Sequence, residues 1–210
     1  LYGAQVTLQR SGAESSYADA SGNRVEVSGI KLTGSITGAQ VRNENQTGSA
    51  NAEGNVVVIS NSTIEDNVTG ANLLGSHINA SGNTVILGEG TVVNGNVTAV
   101  VGDNAELARS SGGEFSSTYG DNRVAMNNAT VSGTVCAVSS DSGSLPVDVQ
   151  TAGNTLVLAG HNEAGSIEGF ESLDLTLSEQ NKDQSVLTLT GGQSTLCLLY
   201  TSDAADDRIS

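Results

Sequence analysis

An Asn preceded by Gly or Asp recurs along this chain, and apolar residues follow it at fixed offsets. Successive copies lie 32, 28, 39 and 32 residues apart. Their anchoring residues are Asn23, Asn55, Asn83, Asn122 and Asn154. A pattern that recurs at intervals of roughly 20–50 residues is typical of folds that stack one structural unit on the next. The repeat therefore predicts a solenoid.

The offsets predict which side chains face the interior. Offsets two and four are apolar in every copy, and residues two apart on a strand share one face. Offset two holds Val25, Val57, Val85, Val124 and Leu156, and offset four holds Val27, Ile59, Leu87, Met126 and Leu158. Offset nine holds Leu32, Ile64, Val92 and Val131, with Glu163 as the exception in the fifth copy. Offset thirteen holds Ile36, Val68, Val135 and Ile167, and Val97 follows one residue late. A last apolar position is Val41, Leu73 and Val101, and residues 3–6 repeat residues 38–41 as an incomplete first copy.

Each copy thus offers three short apolar strands, separated by Gly and Asn residues that tolerate turn conformations. Stacked copies would pair these strands in parallel, and the anchoring Asn amides would form a hydrogen-bonded ladder along the axis. We predict an all-β fold, a right-handed parallel β-helix (solenoid) of about five to six coils. Loops of variable length are predicted near residues 43–52, 103–119 and 139–152. A β-sandwich is the alternative, but it does not require identical offsets in successive segments.

The amino-acid composition disfavours several classes of binding partner. The chain has 23 acidic and 8 basic residues, a formal net charge of -15, which disfavours nucleic acids and anionic lipid surfaces. No apolar run approaches the ~20 residues of a membrane-spanning helix, so direct membrane insertion is not expected. Intrinsic disorder is disfavoured because Val, Ile and Thr are abundant and alternate in short runs.

Groups that could carry chemistry are scattered. His77 and His161 have no partners at metal-ligand spacing, and Gly102-Asp103 stands outside any calcium-binding repeat. The best acidic pair, Glu65-Asp66, shares no offset with a basic residue. The arginines considered beside it are Arg24, Arg42, Arg109 and Arg123. We therefore expect no catalytic, cofactor-binding or metal-binding residues, no cofactor and no enzymatic activity. The alternative is a polysaccharide lyase or hydrolase whose active coil is poorly defined or lies outside this sequence.

The last residues differ in character from the repeats. Residues 197–207, from Cys197 to Asp207, match no repeat position and resemble a translated sequencing adapter. We expect a β-helical region over residues 1–196 and an artefactual or disordered tail over 197–210, with the natural sequence interrupted near Leu196.

The repeats also resemble a known family. Residues 82–98, which read GNTVILGEGTVVNGNVT, resemble the repeats of autotransporter passengers, the type V secreted surface proteins of Gram-negative bacteria. Residues 55–73 and 122–138 are similar, residues 165–177 resemble the end of such an array, and the likeness covers about residues 3–192. It implies a β-helical passenger, export through the inner membrane, and display at the cell surface or secretion by way of a C-terminal membrane barrel outside this sequence.

Together these observations predict a structural or adhesive surface rod or stalk. Its expected partners are surface glycans or proteins of a host or of bacteria, or further copies of itself, and not nucleic acid.

Overall fold

Parallel strands make up the regular structure of this chain. A computed structural model describes residues 1–9, 16–45, 48–103, 116–140, 149–177 and 185–191, and these residues contain β-strands and no helix. A six-stranded sheet contains β3 (Arg24–Ser28), β7 (Val56–Ser60), β11 (Thr84–Leu87), β15 (Arg123–Asn127), β18 (Thr155–Ala159) and β20 (Ser172–Thr176). A five-stranded sheet contains β2 (Tyr17–Asp19), β6 (Ser49–Asn51), β10 (His77–Asn79), β14 (Ser116–Gly120) and β17 (Val149–Ala152). A ten-stranded sheet contains β1 (Tyr2–Leu8), β4 (Lys31–Leu32), β5 (Ile36–Asn43), β8 (Thr63–Ile64), β9 (Val68–Leu74), β12 (Val92–Val93), β13 (Val97–Asp103), β16 (Thr130–Ser139), β19 (Asn162–Glu168) and β21 (Leu187–Leu189).

The chain winds through the three sheets in turn, and each strand pairs in parallel with its equivalent in the next coil. Four full revolutions separate β2 from β17, and partial coils at both ends bring the largest stack to six strands. The predicted all-β parallel β-helix is confirmed. The right-handed sense stays a prediction from the usual crossover rule. The predicted tail, residues 197–210, lies outside the described residues.

The register places most predicted interior positions directly on one another. At offset two, Val25 pairs with Val57, Val57 with Val85, Val85 with Val124 and Val124 with Leu156. All five are buried. Offsets four and thirteen align in the same way, and Ala4 and Val6 of β1 pair with Ala39 and Val41 as the incomplete first copy predicts. The interior is therefore a set of apolar columns, and a fully buried Val or Leu contributes about 1.5–3 kcal/mol relative to an exposed one.

Two predicted core positions are wrong by one residue. Val92 pairs with Thr63, and it is Val93 that pairs with Ile64 inside the core. The reason is one extra residue in the turn between β11 and β12. The same insertion moves Val101 into register with Asn72, so that Gly102 takes the place opposite Leu73.

The fifth copy obeys the pattern more closely than its sequence suggests. Glu163 pairs with Thr130, and the adjacent Ala164 is fully buried opposite Val131. The turn before β19 is again one residue longer, and a register shift between Val131 and Thr134 restores the alignment of Ile167 with Val135.

Each coil also contains a strand that the sequence did not predict. The segments expected as loops, 43–52, 103–119 and 139–152, enter the strands β6, β14 and β17 of the five-stranded sheet. Their residues 46–47, 104–115 and 141–148 lie outside the described residues. The inward side chains of this sheet are mostly small, such as Ala18 and Ala50, so the strands carry little apolar signal.

The anchoring asparagines form the predicted ladder. Asn23 Nδ2 donates to Asn55 Oδ1 at 2.9 Å, and Asn55 Nδ2 donates to Asn83 Oδ1 at 2.9 Å. The backbone N–H of Asn83 donates to Asn122 Oδ1 at 2.9 Å, and that of Asn122 donates to Asn154 Oδ1 at 3.0 Å. Four of these five side chains, all but that of Asn23, are fully buried. Hydrogen bonding from one coil to the next removes most of the cost of burying an amide.

Candidate functional site

The acidic pair singled out from the sequence has local partners. Glu65 forms an ion pair with Lys31 at 2.6 Å and accepts a hydrogen bond from Asn94 Nδ2 at 2.6 Å. The Lys31 ammonium, followed by the Asn94 amide, lowers the pKa of Glu65. Asp66 accepts a hydrogen bond from Ser35 Oγ at 2.8 Å. These carboxylates join neighbouring coils, and within the part of the chain that the structure describes neither belongs to a cluster of three or more acidic, His or Cys side chains.

The described arginines do not gather at that pair. Arg24 and Arg42 form exposed ion pairs with Glu26 and Glu44, at 3.0 and 3.3 Å. The register places Arg24 and Arg123 in one row of the six-stranded sheet, three strands apart, a relation that the sequence reading missed. Arg109 lies outside the described residues.

The histidines and the Gly-Asp step also lie apart. His77 is in β10, while His161 Nδ1 is 2.7 Å from the Ser185 carbonyl oxygen and therefore carries the proton. Gly102 lies against the Tyr119 ring. Within the described ranges no three His, Cys, Asp or Glu side chains come together as metal ligands.

A different feature forms a concave surface, which we call the axial groove. It has a volume of about 260 Å³ and crosses successive strands of the ten-stranded sheet, parallel to the solenoid axis. Three rows line it, and Tyr2 and Ser139 lie at its ends. The floor is Thr37, Thr69 and Thr98; one wall is Ser35, Asn67 and Asn96; the other is Gln40, Asn72 and Val101.

The strand register builds the threonine floor. Thr37 pairs with Thr69, and Thr69 pairs with Thr98, so three hydroxyls repeat at the strand spacing of about 4.8 Å. The next residue in this row is Cys136, followed by Glu168. The row therefore changes from hydroxyl to thiol where the groove ends.

A bend in each strand makes the groove concave. Thr37 and Gln40 are three residues apart and both line the groove, which strict alternation along a flat strand does not allow. Between them lies Gly38, where a Cβ would collide with the Gly70 carbonyl oxygen and touch Val57. A Cβ at Gly70 would likewise collide with the Ala99 carbonyl oxygen. Glycine thus permits the close packing of backbones in the first two strands of the groove, whereas the third strand has Ala99 at the equivalent position.

The groove holds its polar groups at low exposure. Thr37, Thr69 and Thr98 are 8%, 8% and 6% exposed, and their hydroxyls form no hydrogen bond with any described residue. One wall is fixed by backbone contacts: the N–H of Asn96 donates to Asn67 Oδ1 at 2.8 Å, and the N–H of Thr134 donates to Asn96 Oδ1 at 2.9 Å. The lining contains hydroxyls and amides but no Asp, Glu, Lys or Arg.

Cys136 is the cysteine that the structure describes, and it is a free thiol. Its Sγ donates to the Val138 carbonyl oxygen at 3.1 Å. Burial, followed by the nearby Glu168 carboxylate, raises the pKa of this thiol to about 11. Such a thiol remains protonated at neutral pH and is a poor nucleophile.

Sequence reasoning did not find the groove, although the signal is present. Its floor residues stand at offset fourteen, and the wall of Gln40, Asn72 and Val101 stands at offset seventeen, each delayed by one in the third copy. Polar residues recur at these offsets as the apolar residues do at theirs, and they include Thr37, Thr69, Gln40 and Asn72. The bend that brings the two rows together is not visible in the pattern.

Comparisons with known proteins return no match, either among protein-family models, among curated proteins or among solved structures. In the part of the chain that the structure describes, no helix is present that could cross a membrane.

Proposed function

We propose that this chain is a non-catalytic structural rod that serves as the passenger of an autotransporter-like protein at the surface of a Gram-negative bacterium. In this role it mediates adhesion or self-association. The observation that carries the proposal is the continuous stacking of interior columns and Asn side chains. The columns run from coil to coil, and the ladder joins five successive anchoring positions.

This architecture supports a rod because every coil uses the same contacts with its neighbours. A solenoid of this kind gains length by adding coils and presents its outward rows to partners along the whole stack. One outward row of the six-stranded sheet is polar except at Val56, and it lies beside the apolar Val58 and Ile86. Its polar members are Arg24, Thr84, Arg123 and Thr155. The net charge of -15 favours solubility of such an extended surface.

Surface display tests this proposal. The chain would be expressed in a Gram-negative host between a signal peptide and an autotransporter translocation domain, with an empty passenger as control. We expect the chain to be cleaved by protease added to intact cells, and the cells to clump or to attach to glycan-coated or protein-coated surfaces more than the control. Retention of the folded chain in the periplasm, or display with no gain in attachment or clumping, contradicts it.

A second experiment addresses the non-catalytic part of the proposal. The purified chain would be incubated with neutral and acidic polysaccharides, and the release of reducing ends or unsaturated products would be followed. We expect no turnover. Turnover that is abolished by Glu65→Gln together with Asp66→Asn would contradict a non-catalytic role and would indicate a polysaccharide-active enzyme.

A further inference from the structure

We propose that the axial groove is a binding site for an uncharged polysaccharide, with the chain of sugars lying along the solenoid axis. The inference deepens the adhesive function proposed above, on which it rests, by assigning a ligand class to one surface. It depends on three observations: the free hydrogen-bonding groups of the groove, the absence of charge in its lining, and its periodicity.

The hydrogen-bonding groups of the groove floor are unused. Thr37, Thr69 and Thr98 have hydroxyls without a partner among the described residues, and the Asn72 amide has none either. These atoms are not enclosed, because the unpaired buried side-chain atom among the described residues is the Tyr119 hydroxyl, so they face the groove and are accessible to a ligand. Hydroxyls and amides both donate and accept, which matches the hydroxyl groups of sugars.

Charge selects among glycans. No Asp, Glu, Lys or Arg lines the groove. The charges beside it are both bound to the wall residue Ser35: its Oγ donates to Asp66 Oδ2 at 2.8 Å, and its carbonyl oxygen accepts from the N-terminal ammonium at 2.7 Å. The chain as a whole carries -15, which repels polyanions at a distance. A neutral polymer needs no charged partner in the groove and is not repelled by the net negative charge of the chain.

Periodicity favours a polymer over a single small molecule. Each coil adds one Thr to the floor at intervals of about 4.8 Å, and adds a Ser or Asn and a Gln or Asn to the walls of the first two coils. A linear glycan that runs along this direction presents hydroxyls to successive coils. Tyr2, which is 52% exposed at one end of the groove, offers an aromatic face to a sugar ring.

Native affinity electrophoresis of the full chain tests the proposal. The gels would contain a neutral glucan, a galactomannan or an arabinoxylan, with polygalacturonate gels run in parallel. We expect retardation by at least one neutral polysaccharide, little change with added salt, and weak or no retardation by polygalacturonate. Thr69→Val should weaken binding about fivefold, as should Thr98→Val, because each removes one hydrogen bond while keeping the side-chain shape.

Two further variants make the result specific to the groove. Thr84→Val, in the outward row of the six-stranded sheet, should bind as the unmodified chain does. Thr69→Ser, which retains the hydroxyl, should restore most of the affinity lost in Thr69→Val. If the Thr69 valine variant does not fold, Thr98→Val takes its place, and binding by Thr98→Val equal to that of the unmodified chain overturns the inference.

The inference is overturned by any of three results. These are retardation by none of the neutral polysaccharides, equal binding by Thr69→Val and the unmodified chain, or retardation by polygalacturonate as strong as by the neutral polymers. If the chain is displayed and promotes attachment but binds no polysaccharide, this inference alone fails. If the chain binds a neutral polysaccharide but is never displayed, the proposed function fails and the assignment of the groove as a polysaccharide-binding site stands.

Discussion

Single asparagines hold this solenoid together where apolar packing cannot, at the turn that precedes the six-stranded sheet. Each side-chain oxygen accepts a backbone N–H from the preceding coil, as Asn122 does from Asn83. The side-chain nitrogens donate to the side-chain oxygen of the Asn in the following coil, as Asn55 does to Asn83, or to a backbone carbonyl, as in the 2.8 Å bond from Asn83 to Ala52. Glu171 takes the next position, where its Oε2 accepts the N–H of Asn154 at 2.8 Å. A carboxylate can accept this bond but cannot donate to a further coil.

Removing one amide from the middle of the ladder should be costly. Asn83→Ala orphans the donors of Asn55, leaves the Ala52 carbonyl without this partner and creates a small cavity. We expect a loss of about 3–4 kcal/mol in the free energy of unfolding, measured by urea titration. The control Asn127→Ala, at an exposed position, should change stability by about 0.5 kcal/mol or less. Similar losses for the two variants would contradict a structural ladder.

The buried thiol gives the chain a characteristic response to alkaline pH. The pKa of Cys136 rises from 9.0 to about 11 on folding, so above pH 9 the unfolded chain releases this proton before the folded chain does. Stability is therefore retained below pH 9 and falls between pH 9 and about 11, by roughly 2–3 kcal/mol in total. Tyr119, whose pKa is raised to about 12 chiefly by burial, adds a further loss above pH 10.

Comparison with Cys136→Ala isolates the contribution of the thiol. Thermal or urea unfolding of both proteins between pH 8 and 10.5 should show a steeper decline for the unmodified chain. Parallel declines in the two proteins would mean that the thiol titrates normally in the folded state.

Some residue-scale features could be read from the sequence and others could not. The ladder was predictable because the same residue type recurs at one offset. The pairing of Gly102 with Tyr119 was not, since it depends on space: Tyr119 is fully buried where the preceding coil has Ala80, and a Cβ on Gly102 would collide with its ring. The Tyr119 hydroxyl is buried without a hydrogen-bond partner among the described residues, although Ser117 lies close enough to oppose the rise in its pKa.

At the scale of strands, the register follows from the apolar offsets wherever the turns have equal length. An offset is the number of residues that separates a position from its anchoring Asn. The register of a strand depends instead on where the preceding turn ends. One extra residue in a turn therefore shifts every later position in that coil, as Val92 and Val101 show. The strands of the five-stranded sheet were missed because their inward residues, such as Ala18 and Ala50, have little apolar surface to reveal a period of two.

Truncation of the two neighbouring valines in β12 tests the corrected register. Val93 is fully buried and Val92 is partly exposed, although the sequence pattern favours Val92 as the core residue. Val93→Ala should lower the free energy of unfolding by about 2 kcal/mol, and Val92→Ala by about 1 kcal/mol or less. Chemical denaturation of both variants measures these losses. A larger loss for Val92→Ala than for Val93→Ala would indicate that Val92 is the core residue, as the offset of nine predicts.

For the whole molecule, the sequence predicted the class of fold better than the surface that a ligand would use. Regular spacing of apolar and Asn residues is a property of the interior, and the interior determines that the chain stacks in parallel coils. The axial groove depends on a bend at Gly38 and Gly70 and on which outward rows that bend brings together. These are relations between coils, and they emerge only when the register is known.

The coils stack in register as a parallel β-helix, and a distance between two spin labels measures that stacking along the axis. Glu26 and Asp174 are exposed, lie in one outward row of the six-stranded sheet and are 148 residues apart in the sequence. Five strand-to-strand steps separate them, which corresponds to about 24 Å between their Cα atoms.

With Cys136→Ala and Cys197→Ala as background, nitroxides at Glu26→Cys and Asp174→Cys would be measured by pulsed electron–electron double resonance. The stacked solenoid predicts a single narrow distribution near that separation, widened only by the label side chains. A broad distribution, or a narrow one centred far from this distance, would contradict it.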